Sequence, residues 1–394
     1  MITELALSLT LMIAAGLLVQ SFRQLMDVEP GYDARNVLTF RLRLPDMKYA
    51  ETIQAVTFLQ EAERRLQQLP GVQAVAIASG FPFGRFTEKS YWIEGQPEPQ
   101  NAAHWPVSLS LAVSEKYHQS LGIPLLAGRP FTEQDRADTP PVAIVDEEFV
   151  RRNFPDATLR SVLGRRFRFE DKDEPWQEIV GVVRHVKHSG LDEQPRVEVY
   201  RPWTQLNPKS TGDWLRAMDI LVKTSSDPTT LVPAIRREIQ ELDPDQPLGP
   251  VATLESLLDK SVAPRRFNLF LLGTFSCIGL LLGVIGLYGV MSYTVSQRTH
   301  EIGLRMALGA QRADVLKLVL GEGMLLVLAG TAFGLAGAFA LTRLMSTLLF
   351  AVSASDPLTY ASLSFLIVFV ALLACYLPAR RASAVHPMEA LRYE

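Results

Sequence analysis

Residues 267–297 contain no Lys, Arg, Asp or Glu, and the run is predominantly apolar along its whole length. A bilayer core about 30 Å thick is crossed by roughly 20 apolar residues in a helix, so this stretch is long enough to span. Three more charge-free stretches occur at residues 5–22, 323–342 and 358–379. Overall composition conceals the segregation, because 48% hydrophobic residues and a net charge of −3 are ordinary values. Buried helices of soluble proteins usually keep a polar stripe, and these four have none built from charged residues. The reading is therefore four transmembrane helices: 1–22, 267–293, 323–342 and 358–379. The first has only Glu4 ahead of its apolar run and no Lys or Arg there, so it reads as an uncleaved anchor rather than a signal peptide.

Short-loop Lys and Arg set orientation. The segment between spans two and three carries Arg298, Arg305, Arg312 and Lys317, and the tail carries Arg380, Arg381 and Arg392. Both are expected in the cytoplasm, which places residues 23–266 outside. Glu4 inside and Arg265–Arg266 outside run against the rule. Both cysteines, Cys277 and Cys375, lie in expected spans, so the external domain has no disulfide framework and must build its own core.

Within that domain, residues 37–44 (VLTFRLRL) alternate as a strand does. Residues 51–69 have helical spacing, with Ile53, Val56, Leu59, Leu66 and Leu69 on one face. Pro70–Gly71 ends the helix, and residues 72–79 form a second strand. A second β-α-β unit is expected from strand 217–225, helix 228–242 opened by Asp227 and Pro228, and strand 247–255. An insertion at about 84–214 is rich in short strands, including 106–113, 141–146, 165–170 and 178–186. A helix near Lys260 is expected to lead through Arg265–Arg266 into span two.

Chemistry-bearing motifs are sparse. No G-x-x-x-x-G-K-[ST], G-x-S-x-G or C-x-x-C occurs. The chain is thus read as having no catalytic, cofactor or metal site of its own and no nucleic-acid function. His185 and His188 are expected at a strand end as exposed loop histidines without acidic partners, and EDKDEP (170–175) as a solvated hairpin tip. No dedicated ligand pocket is expected in this domain. Ion-coupled carriers keep ionisable residues at mid-membrane, whereas the cores of these spans offer uncharged groups such as Thr274, Ser276, Tyr288, Ser292, Thr331 and Ser364. Small residues recur instead: Gly279, Gly283, Gly286 and Gly289, then Gly330, Gly334 and Gly337. Such faces allow close helix packing. Four helices without a polar path enclose little, so a homodimer or pseudo-dimer is expected.

Residues 299–309 between spans two and three read as a short helix. Thr299 is the expected cap, Glu301 favours the positive N-terminus, and Glu301 with Arg305 has the favourable i, i+4 order. Ile302, Met306 and Leu308 supply apolar contacts, and Gly309 is a natural stop. A new helix is expected from about 312–314. Amphipathicity alone does not separate a protein-docking helix from one lying on lipid.

The segment QRTHEIGLRMALGAQRADVLKLVLGEG (297–323) resembles the cytoplasmic loop of MacB/FtsX-like ABC transporter permeases, and LPARRASAVHPMEALRYE (377–394) resembles the family's C-terminal pattern. LVQSFRQLMDVEPGYDARNVLTFRLRLP (18–45), YHQSLGIPLLAGRPFTEQD (117–135), VAIVDEEFVRRNFP (142–155) and LGRRFRF (163–169) resemble its extracytoplasmic domain. The resemblance implies an α-helical membrane protein with four transmembrane helices. It also implies a large α+β extracytoplasmic domain, 23–266, made of two βαβ porter-like units with the β-rich insertion. Residues 267–394 become an FtsX-like permease domain in the bacterial inner membrane. Its coupling helix would dock on an ABC ATPase subunit through Glu301, Ile302, Leu304, Arg305, Met306 and Gly309. Drugs, peptides or lipid-linked cargo are the implied exports. The alternatives are a regulator of a periplasmic partner such as a cell-wall hydrolase, or an inactive half of a duplicated permease. The chain starts almost inside span one and is most similar to the second half of long duplicated permeases, in which a whole first half would precede Met1, so a split gene product or a fragment is expected.

Overall fold

The computed structural model describes residues 2–97, 105–170, 174–206, 215–308, 310–346 and 349–383. Two compact units emerge, one of residues 29–262 and one combining residues 1–28 with 263–394. Helix α1 (Ile2–Met26) opens the second of these.

The 29–262 unit starts with β1 (Val37–Arg43), α2 (Thr52–Gln67) and β2 (Val72–Ala78), and ends with β10 (Ala217–Thr224), α5 (Val232–Leu242) and β11 (Ala252–Thr253). Their strands lie in the order β11-β1-β10-β2, all antiparallel. The expected β-α-β units are therefore interlocked. β1 and β2 flank β10, while β10 and β11 flank β1, so neither unit has adjacent strands. Alternation along each strand sends side chains to two buried faces. Phe40, Leu42, Val75, Ile77, Ile220 and Val222 pack under the helices. Val37, Ala76, Ala78 and Leu221 point into a second core. The buried stripe of α2 is Ala55, Phe58, Leu59, Ala62 and Leu66. Ile53 faces outward instead, 68% exposed, because the wider stripe expected from spacing overran the contact face. Asp227 opens the second helical segment as anticipated, its Oδ1 accepting from the Thr229 N–H at 2.9 Å. The last strand shrinks to two residues because Pro247, Gly249 and Pro250 interrupt the ladder.

The insertion holds β3 (Thr87–Ile93), β4 (Val107–Val113), α3 (Tyr117–Ser120), β5 (Leu125–Gly128), β6 (Val142–Asp146), α4 (Glu147–Asn153), β7 (Arg166–Phe169), β8 (Gln177–Val183) and β9 (Glu198–Pro202). Its pairings run β4-β3-β7-β8-β6-β9, and β9 returns to pair with β4 in parallel. Six strands thus close into a ring around Tyr91, Ile93, Val145, Phe149, Phe167 and Ile179, with β5 added on β8. Gly128 is needed there. Its φ is +81°, and a Cβ would stand 2.2 Å from the Val180 carbonyl oxygen.

Among the described residues, four helices are long and apolar enough to cross a membrane. They are α1, α6 (Leu254–Gln297, containing Pro264), α8 (Arg312–Leu344) and α9 (Pro357–Ser383). The expected helix near Lys260 and span two are one continuous helix. Residues Leu5, Leu9, Ile13 and Leu17 of α1 form a buried stripe with Val327 and Ala338 of α8 and Ile367, Ala371 and Cys375 of α9. From α6, Leu287 and Met291 join this core, whereas Phe270, Leu281 and Ile285 remain exposed. A lipid-facing surface has that composition.

Candidate coupling helix and functional site

Between α6 and α8 lies α7 (Thr299–Ala307). Almost no linker separates it from α6, and this changes the role of Thr299. Its hydroxyl donates back to the carbonyls of Val295 at 3.0 Å and Ser296 at 2.9 Å. Arg298 occupies the N-cap position without a side-chain cap. Thr299 therefore closes the end of α6 rather than capping α7. Arg298 Nη1 also donates to Glu322 Oε1 at 2.6 Å, tying the α6–α7 junction to α8. The backbone N–H of Leu308 closes α7 on the Leu304 carbonyl at 3.0 Å, and the next helix opens with the Gln311 N–H on Asp314 Oδ2 at 3.0 Å.

The residues singled out on this helix separate into two faces. Ile302 is 3% exposed and packs with Met291, Val315 and Val319, with Met306 half-buried beside it. On the other side, Arg305 Nη2 meets Glu301 Oε1 at 2.6 Å, both side chains about half exposed. Leu304 is 48% exposed and Leu308 80%. Leu308, expected to supply an apolar contact, presents its side chain on the outward face. Gly309 and the tail from residue 384 lie outside the described residues.

The glycines also sort by geometry. A Cβ on Gly330 would stand 3.0 Å from Leu5 Cβ, one on Gly334 2.9 Å from Leu9 Cβ, and one on Gly337 2.9 Å from Thr10 Oγ1. All three face α1, and Thr10 Oγ1 donates to the Gly334 carbonyl at 3.1 Å. Gly279, Gly283 and Gly286 face Ser8, Leu5 and Glu4 of α1 at 3.5, 3.2 and 3.1 Å. Gly289 faces open space.

In the 29–262 unit the histidines depart from expectation. His188 is 1% exposed and its burial lowers its pKa to about 4. His185 is mostly covered and sits 2.7 Å from Asp146 Oδ2. The acidic partners come from distant strands, which local spacing cannot reveal. Glu174, expected at a solvated tip, is 4% exposed and pairs with Arg201 at 2.7 Å and Lys89 at 2.8 Å; residues 171–173 lie outside the described residues. A cleft of about 620 Å³ also opens in this unit, lined by Ile53, Val56, Glu115, Asp135, Trp203 and Leu215 among others. No pocket was expected there; strand and helix patterns do not encode the space between them.

Comparison with known proteins matches residues 3–242 to the MacB-like periplasmic core domain and residues 273–387 to the FtsX-like permease C-terminal domain. The macrolide export ATP-binding/permease protein MacB of Campylobacter jejuni subsp. jejuni serotype O:23/36 is 29% identical over 69% of this chain and 42% of its own length. That of Azoarcus sp. strain BH72 is 26% identical over 91% of this chain and 51% of its own. The chain thus spans about half the length of the curated relatives it matches. Among solved structures, the periplasmic region of MacB from Actinobacillus actinomycetemcomitans covers 59% of this chain and 95% of its own, at 16% identity and a TM-score of 0.39. With one domain description covering more than half of its residues and a second covering most of the remainder, the chain belongs to the MacB/FtsX-like family of ABC transporter permeases.

Proposed function

We propose that this chain is the membrane subunit of an inner-membrane exporter that works by mechanotransmission. An ATPase pulls on α7, and the apolar helices carry that motion to the external domain, which opens or closes on cargo. The observation that supports this most is the two-faced α7. Ile302 and Met306 root it in the helical core, while Glu301, Leu304, Arg305 and Leu308 form an outward face of mixed charge and apolar surface. A rooted helix moves the bundle when its outer face is pushed, whereas a helix lying loosely on lipid would not. The matched relatives carry both ATP-binding and permease functions in their names; here the ATP-binding part is assigned to a partner, and two chains or two permease halves are assigned to one machine. With α7 cytoplasmic, the 29–262 unit is periplasmic.

The test uses the full chain and the ATPase that co-purifies with it in mild detergent. Arg305→Glu reverses a charge on the outer face. Like charges across an interface cost several kcal/mol, while loss of an exposed i, i+4 pair costs about 0.3–0.5 kcal/mol. Co-purification and stimulated ATPase activity should both fall at least about tenfold, with the melting temperature of the helical unit unchanged. Ile302→Asp should instead lower that melting temperature. If Arg305→Glu leaves both co-purification and stimulation intact, the docking assignment is wrong.

A further inference from the structure

β8, β6 and β9 are consecutive in the six-stranded ring, and their ends meet at one level. β6 and β8 run parallel with Asp146 opposite Val183, while β9 runs antiparallel to β6 with Val199 opposite Val145. This brings together three side chains far apart in sequence: Asp146 ending β6, His185 just past β8, and Glu198 beginning β9. Asp146 and Glu198 are fully buried, and the His185 side chain is 15% exposed. His185 Nδ1 lies 2.7 Å from Asp146 Oδ2 and 3.3 Å from Glu198 Oε1, and one ligand atom from each residue falls within 4.8 Å of the others.

What distinguishes this cluster from a plain ion pair is how the remaining atoms are spent. Asp146 Oδ1 accepts the backbone N–H groups of Phe149 at 2.9 Å and Glu198 at 3.0 Å. Glu198 Oε2 accepts the Tyr200 hydroxyl. The His185 backbone N–H donates to Glu147 Oε1 at 3.1 Å. Each carboxylate is thus anchored through one oxygen and turns the other toward His185 Nδ1. Glu198 Oε1 accepts no hydrogen bond although it is buried. The two ring nitrogens of buried His188 make none either, and its Nε2 stands 3.3 Å from Glu198 Oε2. Buried polar atoms without partners are costly. Outer partners that fix ligand orientation while the inward atoms converge are the usual construction of a metal site.

We propose that Asp146, His185 and Glu198 hold a divalent transition-metal ion, with zinc the natural occupant of this nitrogen-and-carboxylate donor set. Three protein ligands leave the fourth position to water. Access is through a surface cleft of about 450 Å³ that His185 lines together with Glu147, Glu148, Arg151 and Pro195. The bound ion clips the ends of three strands and the start of α4 into one piece. This inference does not depend on the transport reading and is tested without any ATPase.

The experiment uses the untagged full chain in mild detergent, stripped with EDTA, desalted and titrated with zinc sulfate alone. All five tryptophans, Trp92, Trp105, Trp176, Trp203 and Trp214, lie between residues 29 and 262, and both cysteines lie outside it. A tryptophan-fluorescence melt therefore follows the domain with the site, and a thiol-reactive melt follows the helices. Wild type should retain about one zinc per chain by mass spectrometry after gel filtration, and its tryptophan melt should rise by several degrees. The thiol-reactive melt should not move. Glu198→Gln and His185→Gln should bind at least about tenfold more weakly and lose the shift. Glu198→Gln keeps the side-chain shape, and its own melt in EDTA reports that it folds. Zinc retained equally by Glu198→Gln, or no stoichiometric zinc on wild type, overturns the proposal.

Discussion

Substituting alanine at two glycines of the helical unit should shift stability in opposite directions, because the structure gives their Cβ atoms opposite surroundings. At Gly334 the added methyl would stand 2.9 Å from Leu9 Cβ and 3.0 Å from the Ala6 carbonyl oxygen. Optimal carbon contacts lie at about 3.5–4.0 Å. The obstruction is backbone, so side-chain rotation cannot relieve it. α8 and α1 must part by about half an ångström or more, stretching the 3.1 Å bond from Thr10 to the Gly334 carbonyl. Overpacking of this kind costs about 1–3 kcal/mol. Replacing a helical glycine by alanine returns about 0.5–1 kcal/mol of backbone entropy, so Gly334→Ala should lose about 1 kcal/mol net. Gly289 has nothing within 4 Å of its built Cβ, so Gly289→Ala should gain up to about 1 kcal/mol. The pair then differs by about 2 kcal/mol, or roughly 4–8 °C in melting temperature for a unit of this size. Cys375 is buried and Cys277 exposed. In a Cys277→Ser background, a fluorogenic maleimide reacting at Cys375 follows opening of the bundle during a thermal ramp. A melting temperature for Gly334→Ala equal to or above that of Gly289→Ala would refute the close-packing argument.

His118 is buried among Tyr117, Phe131 and Tyr200 with neither ring nitrogen hydrogen-bonded, and burial lowers its pKa to about 3. The unfolded chain takes up a proton near pH 6.5 and the folded one does not, so stability is complete above that pH and is lost as pH falls toward 3. At pH 5 the loss is about 2 kcal/mol. His118→Leu should therefore flatten the fall in the tryptophan melt between pH 7.5 and 5 relative to wild type, and equal slopes would count against the assignment. Arg201 is buried on Glu174 at 2.7 Å and lies over the Phe169 ring. Arg201→Met leaves that buried carboxylate to Lys89 and a 3.4 Å bond from Gln177 Nε2 and should cost about 3 kcal/mol in the same melt. Adding Glu174→Gln should restore more than half of the loss; additive effects would contradict a shared buried pair.

The membrane helices were legible because charge exclusion over some 20 residues is a long, redundant signal. The start of α8 near Arg312–Asp314 was legible as well, whereas the fusion of the helix near Lys260 with span two into one helix, Leu254–Gln297, was not. β1, α2, β2 and β10 were legible from periodicity. β3 was missed because TEKSYWI reads as polar, and β9 because EVYRP carries two charged residues whose burial depends on partners elsewhere in the chain. Glu198 finds Tyr200 and the histidines, and Arg201 finds Glu174. Closure of the ring, the interlocking of the β-α-β units and the convergence of Asp146, His185 and Glu198 are long-range pairings that local spacing does not carry. On α7 the composition was readable, but the division between rooted and outward residues required knowing which side α8 occupies.

Ring closure also limits how anything can attach to the 29–262 unit. A sheet with a free edge can recruit a partner by accepting its backbone as one more strand. Among the described residues the outermost strands are β5 and β11, only four and two residues long. The exposed side of β2 is already occupied, because the Ile77 N–H donates to Ser114 Oγ at 3.0 Å and the Val75 N–H to Gln67 Oε1 at 3.2 Å. Short or blocked edges also protect against edge-to-edge aggregation. Recognition at this surface therefore falls to side chains and clefts, and a partner selected for an extended, strand-forming tail would find little here to zip onto.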